Sequence, residues 1–325
     1  MSGAEMKKAP IGNTGLTVTA IGLGAAGLGD MPDTYGYHVS AEQARATVEA
    51  IFAGPANFID TSRIYGMGRS EERIGDVIRE RGGLPPGFLV STKLDRDLTT
   101  NTFDAAQARR SLEQSLTALG LERIDIMHLH DPEHTRSIEE TTSRDGALGE
   151  LFRMKEEGLV TAVGLAAGLV PMMMPLLRDW DFDVLITHNR FTLANRNAEP
   201  MLDLAHSRGI AVFNAAPYAG GVLAKGSANY PRYVYQESSD AALDPIRRIE
   251  AICARYRVPP GAAALQFSMR DPRITATICG VGEVGHVQQT YEWASFPIPE
   301  AMWDELMALP VAMDDPEANR DYKPG

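Results

Sequence analysis

Cysteine is scarce in this chain: Cys253 and Cys279 are the only two in 325 residues. There is no CxxC pair and no Cys/His spacing of the metal-ligating kind. Neither a disulfide framework nor a bound metal is expected, and a reducing, cytoplasmic setting is. Basic runs are missing too. The net charge is −12, and without clustered Lys and Arg there is no electrostatic footprint for nucleic acid or an anionic membrane surface. No apolar run approaches the length of a membrane span, and residues 1–10 lack the apolar centre of a signal peptide. The chain also lacks a G-x-G-x-x-G after its first strand, because Gly22, Gly24 and Gly27 are spaced otherwise. That disfavours a doubly wound dinucleotide-binding sheet.

What is present is an ordinary core-forming composition, 44% hydrophobic and 23% charged, with no break that marks a second domain. Short apolar runs ending in polar residues alternate with segments of helical period. The strand candidates are Ile21 to Gly24, Phe58 to Asp60, Phe88 to Lys93 and Ile124 to His130, followed by Val160 to Leu165, Val184 to His188, Ala211 to Ala215 and Thr275 to Gly280. Ser40 with Gln43 opens one helix as a capping box, and Gly120, Gly158 and Gly209 close others. Pro175 is expected to end or kink the helix after the fifth strand. Met172 to Met174 read as packing rather than as a metal box. Eight strand–helix units with parallel strands predict a (β/α)8 TIM barrel, an α/β fold, as one domain over residues 1–325. Gly12-Asn13-Thr14-Gly15 predicts an N-terminal β-hairpin closing its bottom. Residues 313–325 read as a surface tail or a flap over one end.

Three strand ends carry chemistry. Phe58-Ile59-Asp60 is followed five residues later by Tyr65, Phe88 to Lys93 closes on a lysine, and Ile124 to His130 closes on a histidine before Asp131-Pro132. Each has a plain reading: a turn aspartate, a packed tyrosine, a lysine reaching solvent, a satisfied core histidine. Together they resemble the catalytic tetrad of the aldo-keto reductases, whose motif reads here as Asp60-Thr61, Tyr65-Gly66, Glu71-Glu72 and Gly75. The resemblance assigns the histidine's role to His130 rather than to His128, which shares its facing. It implies a nicotinamide-dependent oxidoreductase. Hydride transfer at a carbonyl carbon needs a proton to move on the oxygen, and a tyrosine with pKa near ~10 is a poor base at neutral pH. A Lys93 ammonium would lower that pKa, Asp60 would hold the lysine, and His130 would orient the substrate oxygen.

The resemblance extends to Asn214-Ala215-Ala216-Pro217-Tyr218-Ala219-Gly220-Gly221-Val222-Leu223, which in the family passes the nicotinamide ring and wraps the pyrophosphate. It implies cofactor contacts from Gly24, Asp60, His188, Ala216, Tyr218, Gly221 and Leu223. Further contacts are implied from Gly280, Gly282, Glu283, His286 and Gln289 in the last loop. Several family positions differ. A ring-stacking tyrosine is replaced at Ala215-Ala216, a carboxamide-binding Ser-Asn by Ala166-Ala167, and a glutamine by His188. An aromatic after the first strand becomes Ala25-Ala26, which implies a roomier substrate mouth with Tyr35 filling part of it. Where NADP-dependent members carry a lysine and an arginine, this chain has Gly280 and His286, and residues 275–290 contain no Lys or Arg. A 2′-phosphate would lack a partner there and Glu283 would repel it, so NAD is expected over NADP.

The motif set is similar to the aldose dehydrogenase branch of the family, which oxidises the anomeric carbon of L-fucose- or D-threo-type aldoses to a lactone; pyridoxal 4-dehydrogenase shares the branch. The partners expected are therefore a small aldose, hemiacetal or aldehyde substrate and the cofactor, in a monomer or weak homo-oligomer. The alternatives are an NADPH-dependent aldehyde or ketone reductase, a cofactor-binding regulatory subunit with little turnover, and a barrel hydrolase using Glu71 and Glu72. For the last, a helix-start position suggests dipole complementarity instead.

Overall fold

The computed structural model describes residues 6–320. Eight parallel strands close into a barrel, each beside the next in chain order and the last beside the first. They are β3 (Ile21–Gly24), β4 (Phe58–Asp60), β5 (Leu89–Leu94), β6 (Ile124–His130), β7 (Val160–Ala166), β8 (Val184–His188), β9 (Ala211–Ala215) and β12 (Ala276–Gly280). The expected strands stand, with β5 shifted on by one residue, β7 ending at Ala166 and β12 starting at Ala276. Thr275 is excluded from β12 because it serves its neighbour instead: its hydroxyl accepts the Val212 N–H at 3.0 Å.

The helices form where the local signals placed them. Ser40 Oγ accepts the Gln43 N–H at 3.1 Å and opens the helix Ala41–Ala53. Asp104 does the same for Gln107 at 2.7 Å ahead of Ala105–Leu119, which Gly120 ends in the left-handed region. Pro175 does not end its helix, which runs unbroken over Val170–Asp179. The ring lies on the exposed face, where the carbonyl that loses its partner meets water. Met173 is fully buried in the shell of that helix.

Two cores result. One lies between strands and helices. The other fills the barrel with Phe58, Leu89, Ile126, Ala162, Val184 and Phe213, the Phe58 and Phe213 rings 5.2 Å apart. The hairpin of β1 (Lys8–Pro10) and β2 (Thr17–Thr19) adds Ile11, Leu16 and Val18 to this inner core and so plugs the amino-terminal end. The opposite end, where the strands finish, is left open for a site. A second hairpin, β10 (Arg232–Tyr233) and β11 (Gln236–Glu237), stands in the long loop after β9. Among the described residues, no helix is long and apolar enough to cross a membrane.

Candidate active site

A cavity of about 270 Å³ opens at the carboxyl ends of the strands. Asp60, Tyr65, Lys93 and His130 all line it, contributed by β4, the loop behind it, β5 and β6. In parallel register Asp60 sits beside Ser91 and Lys93 beside His128, so these strand ends are stacked around one arc of the mouth.

Lys93 Nζ donates to Asp60 Oδ2 at 2.8 Å and to the Thr61 carbonyl at 2.5 Å, and Asp60 Oδ1 accepts from Ser91 Oγ at 2.8 Å. The ammonium also lies 4.8 Å from the centre of the Tyr65 ring. Tyr65 is brought there by a close crossing of two loops. Gly66 has φ of 60°, and a Cβ on it would stand 1.9 Å from the Gly29 carbonyl oxygen. Only glycine fits both demands. The Tyr65 hydroxyl is held well above its ordinary pKa, first by burial and then by the Asp60 charge. The expected lowering by Lys93 is therefore not the net outcome: the lysine's donors are committed to Asp60 and Thr61, and its charge meets the ring face. In this environment Tyr65 is a phenol.

His130 faces Tyr65 edge-on, ring centres 6.0 Å apart. Its Nδ1 is 2.6 Å from Asp95 Oδ1, and Ser62 Oγ donates to Asp95 Oδ2 at 2.6 Å. That leaves Nε2 toward the cavity, with Asp131 Oδ2 at 3.6 Å. Burial works to lower the His130 pKa, but the Asp131 and Asp95 carboxylates outweigh it and the net direction is up. His128 differs. It is fully buried, does not line the cavity, and sits 3.1 Å from Ser91 Oγ with Nδ1 lacking a partner. Burial, then the Lys93 charge, keeps it neutral. A Cβ at Gly164 would come within 2.3 Å of its Nδ1, so the strand beside it needs a glycine.

From this acid–base end the cavity runs past β9 and β12. Gly24, His188, Ala216, Tyr218, Gly221, Gly280, His286 and Gln289 line it. Leu223, Gly282 and Glu283 do not. Leu223 is turned into the shell core at 1% exposure, Gly282 is overlain by Tyr37, and Glu283 points outward beside His286 Nε2 at 3.6 Å. Tyr218 lines the wall, but its hydroxyl is spent on Cys279 Sγ at 3.6 Å.

The residues fit an elongated anionic cofactor. At Gly280 a Cβ would meet nothing within 4 Å, and the backbone turns left-handed at Ala216, Ala219, Gly220 and Gly221. The helix turn that follows presents Lys225 to the cavity, its Nζ 4.8 Å from the Tyr37 ring and 4.1 Å from the Tyr230 ring. Arg232 lies close by, and neither cation has a carboxylate partner among the described residues. Burial and Arg232 lower the Lys225 pKa. The last loop is free of cations, as the sequence says, but the folded site is not. Lys225 comes from fifty residues earlier and gave no sign of its place.

Other neighbours of the site went unseen in the sequence. Asp95 is the most accessible of them, one residue past the end of β5 and two beyond Lys93. Glu317 could not be inferred. It reaches from the tail to His188 Nε2 at 3.1 Å, Asn189 Nδ2 at 2.5 Å and Arg190 Nη1 at 3.3 Å. Residues 313–320 of the tail thus lie against the mouth, where Arg320 also lines the cavity; residues 321–325 lie outside the described residues. Tyr35 lines the cavity as expected, its ring 5.7 Å from that of Tyr235. Glu71 and Glu72 lie outside the cavity and share Arg63, at 3.2 and 3.0 Å.

A sequence profile described as the aldo/keto reductase family matches residues 20–310. The D-threo-aldose 1-dehydrogenase of a Pseudomonas species is 28% identical over 319 residues, spanning 90% of this chain and 94% of its own length. Pyridoxal 4-dehydrogenase of Microbacterium luteolum is 27% identical over 336 residues, spanning 92% and 96%. Among solved structures, the holo form of an aldo-keto reductase from Bacillus halodurans superposes with a TM-score of 0.76. It is 18% identical and spans 97% of this chain and 100% of its own.

Proposed function

The chain belongs to the aldo/keto reductase family and is an NAD(P)-dependent oxidoreductase, and from that premise we propose that it oxidises the anomeric carbon of an aldose to a lactone, with NAD as the hydride acceptor. The observation that carries this reading is the convergence of Asp60, Tyr65, Lys93 and His130 in one cavity. The bound nicotinamide supplies the hydride acceptor. The chain's own residues handle the proton and the oxygen. His130 Nε2 and Tyr65 hold the anomeric oxygen between them; for oxidation the Tyr65 phenol first gives its own proton to solvent, and the phenolate then takes the proton of the anomeric hydroxyl as the hydride leaves the anomeric carbon. Lys93 offsets the charge of the Tyr65 phenolate before it accepts that proton, while Asp60 and the Thr61 carbonyl keep the ammonium in place. Both dehydrogenase relatives are named for substrates that close into cyclic hemiacetals, which supports a hemiacetal carbon as the reacting centre.

The preference for NAD is supported by the last loop, residues 275–290, which carries no Lys or Arg to pair a 2′-phosphate, while Lys225, beside the Gly220-Gly221 turn, suits the diphosphate common to both cofactors. Carbonyl reduction is a second reading, and one observation favours it: Tyr65 is held as a phenol, the proton-donating form. The test is absorbance at the reduced-nicotinamide band after mixing the protein with L-fucose, D-arabinose or pyridoxal, each with NAD and with NADP. Growth of the band with NAD and a sugar is the expected result. Growth with pyridoxal alone moves the substrate to that hemiacetal. Loss of the band only when NADPH meets a simple aldehyde overturns the oxidative reading.

A further inference from the structure

Asp131 follows His130 directly, and its backbone is left-handed, with φ 42° and ψ 53°. That conformation crowds Cβ against the next carbonyl, and the proline at 132 narrows the choice further. Strain of this kind persists where surrounding structure enforces it and clusters at functional sites. Here the Asp131 N–H donates to the Ala166 carbonyl at 2.9 Å, fixing the turn to β7. In a continuing strand residue 131 would face away from residue 130. The turn brings both to the same cavity.

The residue is 7% exposed, yet no side-chain hydrogen bond reaches its carboxylate among the described residues. The nearest donor is His130 Nε2 at 3.6 Å, and that histidine is already held by Asp95 at 2.6 Å. A buried carboxylate accepts hydrogen bonds and cannot donate them, and it is costly to leave without donors. The His188, His134 and Arg96 charges favour its ionised form through space. The carboxylate faces the cavity, where a donor on a bound molecule can reach it.

Nε2 of His130 marks the place of the reacting oxygen, and Asp131 Oδ2, 3.6 Å from Nε2, lies within reach of a group on the neighbouring carbon. We propose that Asp131 is a specificity-determining residue whose carboxylate accepts a hydrogen bond from a hydroxyl on the carbon adjacent to the reacting one. This rests on the reading that His130 and Tyr65 hold the reacting oxygen. Substrates of the α-hydroxy aldehyde and aldose class satisfy the carboxylate; their deoxy counterparts leave it buried and unpaired.

The experiment compares the full-length protein with Asp131→Asn, a residue that tolerates the left-handed backbone. Two matched pairs are used: glyceraldehyde against propanal in reduction, and an aldose against its 2-deoxy form in oxidation. The readout is the ratio of kcat/KM within each pair, together with the cofactor Kd from quenching of protein fluorescence. The ratio is expected to favour the hydroxylated member at least about tenfold in the parent and to fall toward one in the variant. Equal losses on both members of a pair overturn the proposal, as does a parent ratio near one. A selective rise in cofactor Kd also overturns it and gives the carboxylate to the cofactor. If aldoses are inert while glyceraldehyde is still preferred through Asp131, the oxidation reading falls and this one stands.

Discussion

Asp60 and Lys93 meet 2.8 Å apart at the mouth of the barrel, on adjacent strands, with side chains only 7% and 2% exposed. Neither charge is left to its partner alone, since Ser91 donates to the aspartate and the Thr61 carbonyl accepts from the lysine. A pair so placed contributes little net stability by itself, but breaking it strands a charge in low dielectric. Lys93→Met is therefore expected to cost about 3–5 kcal/mol in denaturant unfolding, more than a surface lysine would. The same change removes the cation beside the Tyr65 ring. The phenolate loses support, the tyrosine's pKa rises further, and the alkaline optimum for oxidation moves upward. A pH–rate profile that stays in place removes the lysine from the activation of the tyrosine.

Tyr65→Phe keeps the ring that packs over Lys93 and deletes only the hydroxyl. Turnover in either direction should drop by about 10²–10⁴ or more, the range for losing a positioned acid–base group. Cofactor affinity should change little, because the cavity wall is unaltered. Steady-state rates and fluorescence titration of the cofactor separate the two. A variant that retains most of its rate would show that another group moves the proton.

His130 gives a pH signature. Its pKa is raised in the folded protein because the Asp131 and Asp95 carboxylates outweigh burial. A raised pKa stabilises the fold fully below the unfolded value, near ~6.5, and the contribution fades as pH rises through the folded value. Asp95→Asn removes the 2.6 Å partner of Nδ1. It should lower the His130 pKa and flatten the stability slope above pH ~6.5. Histidine titration by NMR, alongside thermal melts across that window, reads both effects. A slope that persists unchanged in the variant assigns it to another group.

The barrel could be read because each strand is short, apolar and bounded by polar residues, and because the helix caps are local. Ser40 and Gly120 act within four residues of themselves. The four acid–base side chains were legible through their resemblance to the family's tetrad, and the closed barrel brings them together. What stayed hidden depends on contacts far apart in the chain or on unusual backbone. Lys225 enters the cavity from the loop after β9, and Asp131 would point the other way without its left-handed turn. The direction of the Tyr65 shift differs from the expectation because the sequence names its charged neighbours but not how deeply the ring is buried.

Glu317 is the clearest case of a residue whose role exists only in the fold, and it yields a test. Its carboxylate joins the tail to His188, Asn189 and Arg190 after β8, and Arg320 Nη1 adds a contact at 3.3 Å. Burial alone would raise its pKa, but His188 and then Arg190 and Arg320 drive it well below the ordinary range. A depressed carboxylate stabilises the fold above its unfolded pKa, near ~4.3, and that contribution is lost as pH falls through the folded value. Glu317→Gln should therefore cost about 1–3 kcal/mol at pH ~7, the scale for leaving charged donors poorly paired. The gap between parent and variant should narrow as the medium is acidified toward the folded pKa. Urea titrations at neutral and acidic pH measure that gap, and one that stays constant with pH would show that the tail is held by packing rather than by this charge.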